Sequence, residues 1–295
     1  MTDSLWRRLV HGSRRVRERA DWGDFAGPNW SERIMETPVT DCFHAKQGRS
    51  TGRLILEAGG RRLSVYLKRH YRLPRLRSWL ATLWPGRGRS PAMEEWRNLE
   101  WARSAGLPVP SAVAAAEYIG PWGRLQSCLA VEELAGMLPL HEAIPLAERR
   151  LGAGAFQSWK AGLTAELARL TRMLHGLRRF HKDLYLCHFY IQESDIPLRR
   201  DPEGSAQPPK DCWRGRVYLI DLHRLGHHPW TWPWWRVKDL AQLLYSSEVA
   251  GVTVRDRLRF WRYYLGGGVS AWGRAWLRWL VLFRWRNYRR HNLGV

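Results

Sequence analysis

The stretch FHKDLYLCHFYI, Phe180 to Ile191, sets two histidines, a lysine, an aspartate and a cysteine among apolar residues. A polar turn ahead of a strand accounts for that pattern, and so does a catalytic loop centred on Asp183. The flanks bear on the choice. Upstream, SWKAGLTAELARLTRMLHGLRRF carries Leu163, Leu167, Leu170 and Leu174 at near-heptad spacing, which predicts a long helix. Downstream, HFYIQE and RVYLIDLH read as two short strands, and Asp221 closes the second. The polar SDIPLRRDPEGSAQPPKDCWRGR between them reads as a mobile loop. WRVKDLAQLLYSSEVAG then predicts a helix. Asp239 sits on it among Leu240, Leu243 and Leu244, where a carboxylate needs buried donors; bracing the loop at 181–183 would supply them.

The N-terminal half has a different texture. Residues 4–20 are arginine-rich with spaced apolar positions and predict a surface helix. GRLILEA and RRLSVYLKRH read as a hairpin turning at Gly59-Gly60. YRLPRLRSWLATLWPGRGRS reads as a basic insert. SPAMEEWRNLEWARSAGLPVP predicts a helix that starts at Ser90-Pro91 and stops at Gly106. RLQSCLAVEELAG is a strand running into acidic residues. The boundary between the two halves falls near 134–140. The expected division is a strand-rich lobe over 1–134, with a basic N-terminal helix, and a helical lobe over 135–295.

Phosphoryl transfer from ATP needs parts that this chain offers in order. A glycine-bearing hairpin must lie over the phosphates. Gly48, Ser50 and Gly52 in KQGRSTGR stand just before a strand, where backbone N–H groups can approach an anion. A lysine must meet the phosphates, and Lys68 sits on an apolar strand, where it needs an anion or must snorkel to water. A carboxylate must hold that lysine. The helix over 90–104 offers Glu94, Glu95 and Glu100, with Glu95 preferred for its central place beside Trp96. Asp183 is the candidate base, His181 the residue that fixes its loop, and Asp221 the candidate magnesium ligand at the end of a strand. His188 can reach the same cleft. Each residue taken singly has an ordinary reading as a turn, an edge lysine or a solvated helix charge.

The bulk numbers narrow the field. The chain has 295 residues, 45% hydrophobic and 25% charged, as a globular protein has. Its formal net charge of +21 attracts polyanions: nucleic acid, anionic lipid or phosphorylated glycans. The 4 cysteines, Cys42, Cys128, Cys187 and Cys212, form no CxxC pair, which argues against a zinc ribbon or disulfide scaffold. Only six residues are lysine, and Lys46, Lys68, Lys182 and Lys238 fall inside the motifs above. The N-terminus is too charged to read as a secretion signal, and no run of about 18 apolar residues would span a bilayer.

In FHAKQGRSTGR, VYLKRHY, EEWRNLEWARSAGLPVP, LAVEELAG, FHKDLYLCHFYI, LIDLHR and WRVKDLAQLLYSS the chain resembles the lipopolysaccharide core kinases, which phosphorylate Kdo or heptose. The resemblance covers most of residues 40–250. It implies an α+β, two-lobed protein-kinase-like fold: a small, mostly antiparallel β lobe with one main helix, and a larger helical lobe. It implies ATP and Mg2+ as cofactors, Lys68 on the ATP phosphates, Asp183 as catalytic base and Asp221 on magnesium. VEELAG becomes the hinge, with backbone near Glu133 and Leu134 facing adenine. Lys182 stands where protein kinases carry Arg, His188 replaces the usual metal-binding Asn, and Leu222-His223 replaces Phe-Gly. Imidazole is a poorer magnesium ligand than an amide oxygen, so His188 also fits a contact to phosphate or sugar. The expected acceptor is an anionic glycolipid of the lipopolysaccharide core. The expected setting is cytoplasmic, peripheral on the inner face of the inner membrane, with no nucleic-acid partner. Alternatives are the same fold acting on protein or another small molecule, and a basic nucleic-acid-binding protein, which leaves the series Lys68, Glu95, Asp183 and Asp221 unexplained.

Two aromatic segments stay outside this scheme. WGRAWLRWLVLFRWRNYRRH carries Trp272, Trp276, Trp279 and Phe283 along one stripe. The stripe suits a basic membrane surface, but side chains at helical spacing more often face a core, and the expectation is a last helix with its Trp side chains buried. HPWTWPWWR, His228 to Arg236, fits either a sugar face or a lipid.

Overall fold

The computed structural model describes residues 5–44, 48–84, 90–197, 213–268 and 270–293, with side chains for all of these except 41–44 and 291–293. The chain divides into two compact units, Met1–Leu134 and Ala135–Val295.

The first unit is built on a 6-stranded antiparallel sheet. Its elements are α1 (Leu5–His11), β1 (Ser13–Glu18), α2 (Trp22–Ala26), α3 (Trp30–Arg33), β2 (Thr40–His44), β3 (Arg49–Ala58), β4 (Arg61–His70), α4 (Arg75–Leu83), α5 (Pro91–Ser104), β5 (Ala112–Ile119) and β6 (Leu125–Glu132). The strand order is β1-β5-β6-β4-β3-β2. β3 and β4 form the hairpin read from the sequence, and both Gly59 and Gly60 adopt the positive φ that its turn demands. One face of the sheet buries Leu54, Leu63, Val65, Leu67, Val113 and Ala130 against Trp22 and Trp30. α5 packs against β4, β5 and β6. It begins where Ser90 Oγ accepts the Met93 N–H ahead of Pro91 at the first turn.

Two local expectations fail here. The segment 4–20 is not one helix: α1 ends at His11, Gly12 takes φ 74°, and β1 follows as an edge strand paired with β5. A Cβ at Gly12 would meet the Ile119 carbonyl oxygen at 2.4 Å, so the chain reverses there only with glycine. β3 starts at Arg49, so Ser50 and Gly52 lie inside a strand rather than before it.

The second unit comprises β7 (Met137–Pro139), α6 (Leu140–Arg150), α7 (Ala153–Gly176), β8 (Arg179–Phe180), β9 (Phe189–Gln192), β10 (Tyr218–Leu219), β11 (Gly226–His227), α8 (Trp232–Ser246), α9 (Val254–Leu265) and α10 (Ala271–Leu293). The strands form two small sheets, β10-β9-β7 and β11-β8. The leucine row of α7, Leu163, Leu167, Leu170 and Leu174, is buried. Lys160 of α7 is buried too, 2.7 Å from Asp256, which also closes the capping box of α9. The expectation that α10 buries its tryptophans is corrected. The helix turns Leu277 and Val281 into the core, with Leu280, Trp285 and Tyr288 packed around them, while Trp272, Trp276, Trp279 and Phe283 are exposed. The inward stripe is a different set of helical positions, and α10 packs against α8.

Candidate active site

In the first unit the alternation of β4 decides which basic residue faces which way. Leu63, Val65, Leu67 and Arg69 point into the core side. Arg69 is a structural tie: its guanidinium donates to Ser50 Oγ and to the carbonyls of Ile34, Met35 and Thr37. Lys68 takes the opposite face, and its Nζ donates to Glu95 Oε1 at 2.7 Å. Glu95 is nearly sealed, while the Lys68 side chain keeps 23% exposure, so the pair has a buried anchor and a partly open cation. Ser50 is buried, with its hydroxyl engaged by Arg69 and near Tyr71 Oη, so only its backbone is left for an anion. Gly52 makes room for Val39, whose Cγ2 a Cβ would meet at 2.5 Å. Gly48 has φ 72°. Lys46, at the centre of the glycine-bearing turn, lies outside the described residues. At the end of β6 the Glu133 carboxylate pairs with Arg53 and its backbone N–H donates to Ser64 O.

In the second unit the loop after β8 hangs from one row of α8. Asp239 Oδ2 accepts the His181 N–H and Oδ1 the Lys182 N–H, both at 2.8 Å. Gln242 Oε1 accepts from Leu184 N at 3.2 Å, and Ser246 Oγ from Leu186 N at 2.8 Å. Positions 239, 242 and 246 lie on one helical face, so a single helix supplies acceptors to a whole irregular segment. Lys238 Nζ adds a bond to the Lys182 carbonyl. Lys182 has φ 69°, a left-handed conformation that a lysine adopts only where its surroundings enforce it. Its ammonium lies 5.0 Å from the centre of the Trp235 ring, which assigns part of the HPWTWPWWR segment to covering this loop.

Asp239 is fully buried and has a third partner, His175 Nε2 at 3.3 Å. The acceptor-only carboxylate takes the Nε2–H, so His175 Nδ1 accepts from Tyr264 Oη at 2.7 Å, and Tyr264 Oη accepts from Arg236 Nε. Burial pushes the Tyr264 hydroxyl up to about 12, with Arg236 opposing, so it remains a donor. His181 Nε2 donates to the Ile220 carbonyl. Burial holds its pKa below the usual value, with the Asp239 charge opposing, and its Nδ1 has no hydrogen-bond partner. His181 is thus a neutral tie between the loop and the segment bearing Asp221.

The candidate reacting groups sit on that frame. The Asp183 carboxylate receives Arg224 Nη1 at 2.9 and 3.1 Å. The Asp183 carbonyl accepts from His188 Nδ1 at 2.7 Å, and Ile220 N donates to His188 O. Asp221 follows β10 in a left-handed conformation, with Oδ1 2.8 Å from His223 Nδ1 and Oδ2 4.0 Å from His188 Nε2. Burial disfavours the His188 imidazolium, but Cys187, the Asp183 carbonyl and the Asp221 carboxylate outweigh it and raise its pKa. His181, Asp183, His188, Asp221 and Asp239 are therefore one connected group. Arg224 and His223 join it although the sequence reading gave neither a role; Arg224 closes the quoted string LIDLHR, and a basic residue three positions past a candidate metal ligand was the available signal. Gln242 and Ser246 carry no such signal.

Among the described residues no cluster of three or more His, Cys, Asp and Glu side chains could hold a metal ion by itself. Magnesium does not need one, because it commonly binds through one or two carboxylates and substrate phosphates. Asp221 supplies a hard oxygen donor of that kind. His188 donates its Nδ1–H to the Asp183 carbonyl, which leaves Nε2 facing Asp221 Oδ2 at 4.0 Å, but imidazole is a poorer magnesium ligand than an oxygen donor. A mostly apolar cavity of about 110 Å3 lies among α7, α8, α9 and α10, lined by Leu163, Leu167, Leu240, Leu243 and Phe260, and contains none of these groups.

Residues 42–264 match the Lipopolysaccharide kinase (Kdo/WaaP) family. The chain belongs to that family. It is 32% identical over 173 residues to the lipopolysaccharide core heptose(I) kinase WaaP of Pseudomonas aeruginosa, a match covering 59% of this chain and 59% of that protein. It is 33% identical over 108 residues to the Escherichia coli K12 protein of the same name, covering 36% of each. These matches thus span about three fifths and one third of the curated relatives' lengths. A solved structure described as WaaP in complex with acyl carrier protein aligns with a TM-score of 0.64 at 25% identity, covering 95% of this chain and 99% of that one. The Kdo/WaaP membership and this likeness agree with the two-lobed, kinase-like α+β fold.

Proposed function

We propose that the chain is an ATP-dependent kinase that phosphorylates a sugar hydroxyl, of heptose or Kdo, on the lipopolysaccharide inner core. The observation that carries this reading is the loop at 180–188, hung from α8 so that Asp183 and Asp221 stand on one braced frame, in a chain of the Kdo/WaaP family.

Asp183 accepts and orients the acceptor hydroxyl proton. Arg224 is a positioning residue that locates its carboxylate. Lys68, anchored by Glu95, meets the nucleotide phosphates, and the backbone at Gly48, Ser50 and Gly52 covers them. Glu133 and Leu134 present backbone to adenine. Asp221 would hold magnesium, which would supply charge neutralisation at the phosphate oxygens. His181 and Asp239 keep the loop in register. His188 stands beside Asp221, its Nε2 4.0 Å from Oδ2, where it can meet a phosphate or sugar oxygen. The acceptor is an anionic glycolipid, matched by the +21 chain, and the protein works peripherally on the inner face of the inner membrane.

The test is phosphate transfer from labelled ATP by purified protein to heptosylated core glycolipid, with generic protein as control acceptor. Label is expected on the glycolipid. Asp183→Asn should lower turnover by roughly 10²–10⁴-fold, as loss of a general base does, at unchanged fold. Full turnover in that variant, or label on protein alone, would overturn the reading.

A further inference from the structure

The exposed stripe of α10 belongs to none of these roles. Trp272, Trp276, Trp279 and Phe283 are 78%, 52%, 55% and 55% exposed. They form a ladder along the helix, with successive ring centres 6.1, 5.1 and 5.9 Å apart and ring planes within 19° of parallel. At 3.6 residues per turn the ladder occupies roughly 60° of the circumference and runs roughly 16 Å. It lies on the far side of the helix from the inward residues Leu277 and Val281.

The surroundings of the ladder are cationic. α10 carries Arg274, Arg278, Arg284, Arg286, Arg289 and Arg290 and no acidic residue. Helical spacing sets Arg286 beside the ladder and Arg290 in line beyond Phe283, with Arg278 further round the helix. Trp and Phe flanked by Arg match an interface in which rings sit at headgroup depth and cations meet lipid phosphates. The charge also argues against other occupants. A second copy would bring its own arginines against these, with no acidic residue on the helix to answer them. Single-stranded nucleic acid needs open ring faces on which to stack, whereas these rings turn their faces toward one another along the helix axis. Among the described residues no helix is long and apolar enough to cross a membrane, so attachment through α10 is to the surface.

We propose that the Trp272-Trp276-Trp279-Phe283 ladder and its arginines are the surface by which the protein docks on an anionic lipid bilayer. It rests on the peripheral, glycolipid-directed reading above and specifies the face that does the docking.

The experiment measures co-sedimentation of the full chain with vesicles of phosphatidylethanolamine and phosphatidylglycerol, and with vesicles of phosphatidylcholine alone. Wild type should bind the anionic vesicles at least tenfold more tightly, and the difference should shrink with salt. Trp276→Ser/Trp279→Ser should bind them at least tenfold more weakly, and Arg286→Glu/Arg290→Glu should lose most of the preference for anionic lipid. All three proteins should unfold at the same temperature, because these side chains lie outside the core. Absent binding by wild type, or unchanged binding by the double Trp variant, overturns the proposal. So does light scattering that shows, without lipid, a wild-type dimer that the Trp variant loses. Phosphate transfer to a lipid-free core oligosaccharide should be equal in all three proteins. If that activity is missing while vesicle binding behaves as stated, the kinase reading fails and the docking surface stands.

Discussion

Asp239→Asn tests the frame of the site directly. In the folded protein the carboxylate accepts the His181 and Lys182 N–H groups at 2.8 Å each, at a position with no solvent exposure. Asparagine keeps one oxygen and turns an NH2 toward the other donor. One charge-assisted bond is lost, the second becomes neutral, and a buried N–H is left without an acceptor. Hydrogen bonds to charged groups contribute about 1.5–3 kcal/mol each, so the loss should be about 2–4 kcal/mol. A domain with about 5–15 kcal/mol of stability survives that. Gln242→Leu and Ser246→Ala each remove one neutral acceptor, from Leu184 N and Leu186 N, and should lose about 1–2 kcal/mol. Urea unfolding followed by circular dichroism reads the series, and amide exchange at Lys182 should speed up most in Asp239→Asn. Turnover should fall roughly 100-fold with little change in the KM for ATP, because a displacement of about 1 Å at Asp183 is enough for such a loss. A variant with wild-type unfolding, wild-type exchange at Lys182 and wild-type turnover would show that α8 does not hold the loop, and the argument from the frame would fail.

Two further outcomes follow from the same geometry. Glu95→Gln removes the anion 2.7 Å from Lys68 Nζ, and turnover at saturating ATP should drop roughly tenfold or more; Lys68→Met should be at least as damaging, and the double variant no worse than Lys68→Met, since one side chain acts through the other. Additive losses in ATP-dependence assays would show that the pair does not act as a unit. His181 has a folded-state pKa lowered by burial, so below about pH 6.5 the unfolded chain binds a proton that the folded chain refuses, and stability falls as pH drops. His181→Gln should reduce that slope by up to roughly 1.4 kcal/mol per pH unit between pH 5 and 6.5, read by urea titration at each pH. His188, raised in pKa, acts in the opposite sense: its contribution is present below pH 6.5 and fades as pH rises through its folded value, so it does not mask the effect. An unchanged slope in His181→Gln would refute the neutral assignment.

Short-range patterns were legible wherever one element makes its own case. Ser90-Pro91 and Gly106 bound α5 through a cap and a left-handed stop, and Gly59-Gly60 turn the β3–β4 hairpin. A carboxylate among Leu240, Leu243 and Leu244 needs donors, so Asp239 could be read as a brace. β5 could not be read. Its AVAAAEYI is rich in alanine, a helix former, yet it is a strand because it lies between β1 and β6 with α5 against it, where small side chains fit a nearly closed space. β1 was hidden for a related reason: its arginines pair along a sheet edge that exists only once β5 is in place.

The candidate reacting groups were therefore legible in the sequence. An isolated lysine on an apolar strand, a glutamate mid-helix and aspartates after a helix and a strand identify themselves by what burial demands of charge. Their partners were a property of the fold. Arg224 reaches Asp183 across 41 positions, Gln242 and Ser246 reach Leu184 and Leu186 across 58 and 60, and the Trp ladder of α10 faces outward because Leu277 and Val281 take the inward stripe. Periodicity reports which residues share a face; only packing against the other elements decides which face is inside, and which distant acceptor meets each backbone donor.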